Sequence, residues 1–210
     1  TLFPYTTLFR SGAIAASGLS ISYGRLLGND RMSVLLCGTA SPFPAPDRAD
    51  ACTAVIVDGK ILIFDAGPGM WRNLGLWRLP MQKIAGVFLT HYHSDHIGDL
   101  GELNMQTWAA GRPGPLMIHG GPGIEDVVAG FTLAFGHDTH HRTDHHGATL
   151  MNPDTGRMIA VPIEGLAGVP DRPETPVPVW REGDIVVTAF TVNHGPIHPA
   201  LGYRIDYRGR

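Results

Sequence analysis

Apolar residues in this chain come in short runs, and the period of the runs changes along its length. Residues 33–38, 52–58 and 60–65 are largely apolar stretches of strand length and read as three strands. Asp58-Gly59, between the last two, signals a two-residue hairpin. Residues 69–79 predict a short helix, and 84–90, following Pro80, a buried strand. From Ile97 the period becomes helical. Ile97, Leu100, Leu103/Asn104 and Trp108 share one stripe with Asp99, Glu102 and Gln106 between them, and Ser94 or Asp95 stands where a cap for that helix belongs. Residues 115–119 predict a strand and 123–135 a helix opened by Gly121-Pro122-Gly123, a turn that could also cradle an anion. Residues 147–182 are punctuated by Pro153, Pro162, Pro170, Pro173, Pro176 and Pro178 and predict a long loop or insertion, of the kind that walls an active site. Residues 185–193 and 201–207 return to strand, and Arg208-Gly209 predicts a hairpin turn. There is no internal repeat. Strands with interleaved helices predict an α/β domain.

Composition narrows this little. With 210 residues, 43% of them hydrophobic, the chain can bury a substantial core. Sixteen Lys and Arg against nineteen Asp and Glu give a net charge of −3, which supplies no electrostatic reason to expect nucleic acid. Cys37 and Cys52 are too few for a disulfide framework or a thiolate zinc site, and are expected to be two buried thiols in or near strands. Residues 1–11 read as the in-frame translation of a sequencing-adapter oligonucleotide and are set aside from fold reasoning. Within the N-terminal segment 12–31, residues 12–23 are small and apolar but too short to span a bilayer, which takes roughly 20 apolar residues. They fit the remnant of a signal or anchor, which would mean export, or a plain linker in a cytoplasmic protein.

The chemistry lies in the histidines. All eleven fall between residues 91 and 198. His91-Tyr92-His93-Ser94-Asp95-His96 places three imidazoles and a carboxylate within six residues, a density that packing does not ask for. Imidazole with carboxylate suits zinc, manganese or iron. His91 and His93, two apart in an extended segment, point to one side. Asp95 and His96 follow where the chain turns, so one loop could feed two adjacent metals. Residues 136–147 hold His137, His140, His141, His145 and His146, a tract that reads as a metal-binding or pocket element or as an ordinary loop. His194 and His198, four apart in an extended segment, would share a face.

Further motifs accompany this one. They are Leu36-Cys37-Gly38-Thr39-Ala40-Ser41-Pro42, Ile61-Leu62-Ile63-Phe64-Asp65-Ala66-Gly67-Pro68-Gly69, His119-Gly120-Gly121-Pro122-Gly123, and Val192-Asn193-His194 followed by Gly202-Tyr203-Arg204. With Thr90–His96 they resemble, in order, the motifs of the metallo-β-lactamase superfamily in its ribonuclease Z and arylsulfatase-like branch. The resemblance implies a four-layer αββα sandwich. It implies one metal on His91, His93 and His194, and a second on Asp95 and His96. The bridging Asp and last His of the family have no match up to Arg210, so residues 32–210 would be roughly the N-terminal two-thirds of such a domain. It implies a catalytic role for Asp95 in orienting a metal-bound hydroxide, a buttressing role for Asp65, and pocket positions for His145, His146 and His198. Two zinc ions ~3.5–4 Å apart would activate water against an ester; manganese or iron could replace them.

The expected activity is therefore zinc-dependent hydrolysis of a phosphodiester or sulfate ester, with a β-lactam or lactone as the alternative. A second class of reading is an inactive metal-binding fragment. A transfer-RNA nuclease would be expected to carry a basic arm or face. Here 147–182 holds Arg157, Arg172 and Arg181 against Asp154, Glu164, Asp171, Glu174 and Glu182, with Asp184 just beyond. That balance favours a small-molecule ester over transfer RNA.

Overall fold

The fold grows from the hairpin at Asp58-Gly59. Both turn residues take positive φ, 49° and 73°, as a tight turn between twisted strands requires. They join β2 (Cys52–Val57) to β3 (Lys60–Phe64), paired antiparallel from Thr53 opposite Phe64 to Val57 opposite Lys60. The structure is a computed structural model that describes residues 27–28, 30–166 and 176–210. The expectations for residues 1–11 and for most of 12–31 thus lie outside the described residues, as does 167–175 of the Pro-rich stretch.

β1 (Ser33–Gly38) pairs antiparallel with β2. On the far side of β3, β4 (Ile84–Phe88), β5 (Leu116–Gly120) and β6 (Met158–Pro162) add in parallel, so the order is β1-β2-β3-β4-β5-β6. A second, antiparallel sheet has the order β7-β8-β9, from Val177–Glu182, Ile185–Thr191 and Leu201–Tyr207. The helices are α1 (Met70–Leu76), α2 (Ser94–Ile97), α3 (Leu100–Ala109), α4 (Ile124–Ala134) and α5 (Gly136–His146).

Alternation along β2 and β3 sorts side chains into two cores. Ala54, Ile56, Ile61 and Ile63 meet Met70 and Leu74 of α1, Leu100 and Leu103 of α3, and Ile124 and Val128 of α4. The opposite face, Val55, Val57, Leu62 and Phe64, packs with Phe88 against Ile185, Val187 and Tyr207 of the second sheet. Each large side chain so buried contributes roughly 1.5–3 kcal/mol. The chain is an α/β sandwich of helix, sheet and sheet, in the order that the expected αββα fold begins.

Several expectations are corrected. Residues 147–182 are not simply a loop, because β6 and β7 lie within them. Each is an edge strand, where Pro162 and Pro178 cost no central ladder bond. Residues 136–147 are not an ordinary loop but α5, ended at Gly147 with φ 82°. The stripe from Ile97 to Trp108 breaks at Gly98-Asp99 into α2 and α3, and neither Ser94 nor Asp95 caps either helix. His93 stands at the N-cap of α2, without a side-chain bond. Cys37 and Cys52 are buried but are not free thiols. A bulge in the β1–β2 pairing brings their Cα atoms to 5.0 Å, and they form a disulfide. His194 and His198 lie beyond the end of β8, in the β8–β9 connection rather than on a strand.

Candidate metal centre

The C-terminal ends of β3 and β4 open toward one edge of the large sheet, the usual place for a site in an open α/β sheet. The chain leaves β3 into Asp65 with φ +61°, a left-handed conformation uncommon outside glycine. It leaves β4 into Leu89-Thr90-His91. Backbone bonds fasten these exits together: Asp65 N to Phe88 O at 3.0 Å, Leu89 N to His119 O at 2.9 Å, and Ala66 N to His96 O at 2.7 Å. Gly67 is pressed against Asp95, and a Cβ there would lie 2.1 Å from the Asp95 carbonyl oxygen. The close approach admits no other residue without moving the loop.

Asp65 organises the loop. Its carboxylate accepts the Thr90 amide (2.8 Å), the Thr90 hydroxyl (2.9 Å) and His96 Nδ1 (2.8 Å). The single Thr90 proton goes to Asp65, so the Thr90 oxygen is left to accept from His91 Nδ1 at 3.0 Å. That tautomer leaves His91 Nε2 as a bare lone pair. It lies 2.9 Å from His93 Nδ1.

The ligand atoms of His91, His93 and His194 all fall within 4.8 Å of one another. Their ring centroids are 4.7, 4.6 and 5.6 Å apart, for His91–His93, His91–His194 and His93–His194 respectively. Nitrogens on one tetrahedral zinc sit about 3.3 Å apart at Zn–N bonds of about 2.0 Å, so the donor set fits such an ion. His91 is buried, and burial, followed by its neighbours His96, His194 and His93, pushes its pKa down to about 4. It is therefore neutral and able to coordinate at pH 7.

His96 stands against this cluster, its ring 4.1 Å from that of His91. Asp65 holds its Nδ1, which turns Nε2 toward Asp95 Oδ2 at 3.5 Å. Burial opposes a charge on His96, but the hydrogen bond and charge of Asp65, with Asp95 and Asp50, raise its pKa. Asp95 is buried. The loop thus presents two adjacent donor groups, His91/His93/His194 and Asp95/His96. His198 is exposed on the same β8–β9 connection as His194, and His145 and His146 are exposed at the end of α5.

Four contributors were not legible as such. Thr90 stood only as the first letter of the motif. Tyr92 donates its hydroxyl to Gly121 O at 2.5 Å, tying the loop to the Gly-Pro-Gly turn. Tyr203 donates to Leu89 O at 2.7 Å, and Leu201 N bonds Thr90 O at 2.8 Å, so β9 steadies the loop from the other sheet. Asp50 sits in a loop that gives no sequence signal. Its carboxyl pKa is raised by burial and by Asp95, and lowered by His96.

The family model for the anti-Pycsar protein Apyc1 matches residues 32–122. The ribonuclease Z of Mycobacterium avium is 33% identical over 181 residues, which cover 85% of this chain and 60% of that protein. The chain thus spans about 60% of the length of this curated relative. Among solved structures, human tRNase Z, short form, superposes with a TM-score of 0.62 at 20% identity, covering 86% of this chain and 66% of that one. The metallo-β-lactamase fold protein YhfI of Bacillus subtilis gives 0.57 at 22%, covering 83% and 58%. At these identities the two structures speak for the fold alone.

Proposed function

We propose that this chain, which shares its fold with metallo-β-lactamase fold proteins and is 33% identical to a ribonuclease Z, is of that superfamily on its ribonuclease Z side and carries the metal loop of a zinc-dependent phosphodiester hydrolase. The observation that supports this most is the convergence of His91, His93 and His194 beside Asp95 and His96. In the reading offered here the three imidazoles hold one ion, and Asp95 and His96 face a second. The metal, when bound, supplies Lewis acidity and lowers the pKa of water toward ~7. The chain's own residues supply the rest. Asp95 orients the attacking water through its carboxylate and accepts a proton from it. Asp65 keeps the His96 Nδ1–H engaged, so that Nε2 stays turned to the site. Thr90 fixes the His91 tautomer, which leaves Nε2 able to bind.

A small phosphodiester is the favoured substrate, on the acidic balance of residues 147–182. Likeness to ribonuclease Z relatives supports a second reading, a transfer-RNA precursor. Zinc-loaded protein assayed on an aryl phosphodiester, an aryl sulfate, a chromogenic cephalosporin and a precursor transfer RNA separates them. Metal-dependent turnover of the phosphodiester, lost in His91→Ala, is expected. Faster, site-specific cutting of the precursor transfers the proposal to the second reading. Turnover confined to the sulfate or the cephalosporin overturns both.

A further inference from the structure

The remaining concentration of ligand-type side chains is α5. This helix has no buried residue. A helix polar on all sides is held by pairs one turn apart rather than by a core. Arg142 Nε reaches Asp138 Oδ2 at 2.9 Å, and His140 Nε2 lies 3.2 Å from Asp144 Oδ2. Thr139 Oγ1 donates back to Phe135 O and Thr143 Oγ1 to Met151 O. These bonds leave the outward stripe to histidine.

The spacing there is a ligand spacing. His137-x-x-His140-His141 and His141-x-x-Asp144-His145 repeat one pattern, each an i, i+3, i+4 triplet, with His141 common to both. Residues at these offsets share a helix face, and two histidines at i and i+4 are a known helical zinc pair. The rings of His137 and His141 have centroids 6.3 Å apart, and those of His140 and His141 are 6.2 Å apart. His93 and His194, in the loop cluster, are at 5.6 Å. Two imidazoles on one tetrahedral ion have ring centres roughly 5 Å apart, given Zn–N bonds of about 2.0 Å. The two centroid separations exceed that by about 1 Å, and χ rotation of exposed side chains would have to bring the nitrogens together; the His140 side chain is 72% exposed.

We propose that α5 carries a second, solvent-facing site for a divalent transition-metal ion of the zinc, copper or nickel type. His141 is the shared ligand, with His137 and His140 on one turn and Asp144 and His145 on the next. An ion held there links successive turns of a helix that has no apolar face to hold it down. This site stands apart from the hydrolase reading and does not depend on it.

Zinc titration of the full chain by calorimetry tests it. The loop event disappears in the His91→Ala/His93→Ala protein. A second event, at least about tenfold weaker for want of orienting partners around its ligands, remains there and is lost when His137→Gln, His141→Gln and His145→Gln are added. Zinc raises the Tm of the loop variant and leaves that of the combined variant unchanged. In the unaltered protein, substoichiometric Cu²⁺ broadens imidazole NMR signals of α5 histidines, assigned by these same substitutions, in addition to those of the loop. A weak event that survives the three glutamines overturns the proposal, and so does an absence of zinc binding by the loop variant together with unbroadened α5 signals.

Discussion

Asp65 carries more of the loop's geometry than its place in a turn suggests. One carboxylate receives the Thr90 amide and hydroxyl and His96 Nδ1, so removing it frees a backbone donor and the His96 ring at once. Asp65→Ala is expected to weaken zinc binding at the loop by ~10–100-fold, the usual effect of losing such a partner, as read by competition with a chromogenic chelator. His119 is a residue of the opposite kind. It is buried, stacks on Phe88 with ring centroids 4.6 Å apart, and neither ring nitrogen has a hydrogen-bond partner among the described residues. Burial lowers its pKa to about 4 from 6.5. The unfolded chain therefore takes up this proton first. The stability that neutral His119 retains above pH 6.5 is lost as pH falls toward 4. His119→Phe keeps the stack without the proton, and should raise the unfolding free energy more at pH 5 than at pH 7.5, by an amount on the order of 1–3 kcal/mol. An equal shift at both pH values would remove His119 as the cause. The resemblance gave Asp65 a buttressing role but not its partners, and His119 carried no signal along the chain, since both depend on which groups the fold brings within hydrogen-bond reach.

At the scale of elements, the apolar pattern located β1 to β5, α1 and α4 to within a few residues, because the central strands bury both faces and read as near-continuous apolar runs. It missed β6, β7 and α5 for definite reasons. The two edge strands tolerate Pro162 and Pro178, which read as breakers, and α5 buries nothing, so it has no stripe to find. The join between α3 and the 152–157 turn was also invisible. Arg112 is buried there with no carboxylate partner among the described residues. It donates to Gly114 O, Asn104 Oδ1, Thr155 O and the Thr107 hydroxyl, and burial lowers its pKa to about 10. The guanidinium satisfies acceptors that would otherwise be buried unpaired. Arg112→Met should cost about 2–4 kcal/mol in urea unfolding. Arg112→Lys should recover less than half of that, since an ammonium lacks the planar fork.

At the scale of the whole molecule, the pairing of β1 with β2 brings Cys37 to Cys52. Denatured, unreduced protein should show no titratable thiol, and reduction should lower stability by about 3 kcal/mol for a loop of this size; two free thiols in unreduced protein would contradict the pairing. What the sequence determined alone was local. The H-x-H-x-D-H spacing, the hairpin at Asp58-Gly59 and the alternating strands each act over a few residues, and with the flanking motifs they were enough for the fold and for a candidate metal loop. Tertiary structure decided the rest. His194 is about a hundred positions from His91 and meets it because β9 binds the loop through Leu201 N–Thr90 O and Tyr203–Leu89 O. Local spacing is set by backbone geometry, which every sequence carries in itself. The company a side chain keeps across sheets is set by which apolar faces bury one another, and that exists only once the chain has folded.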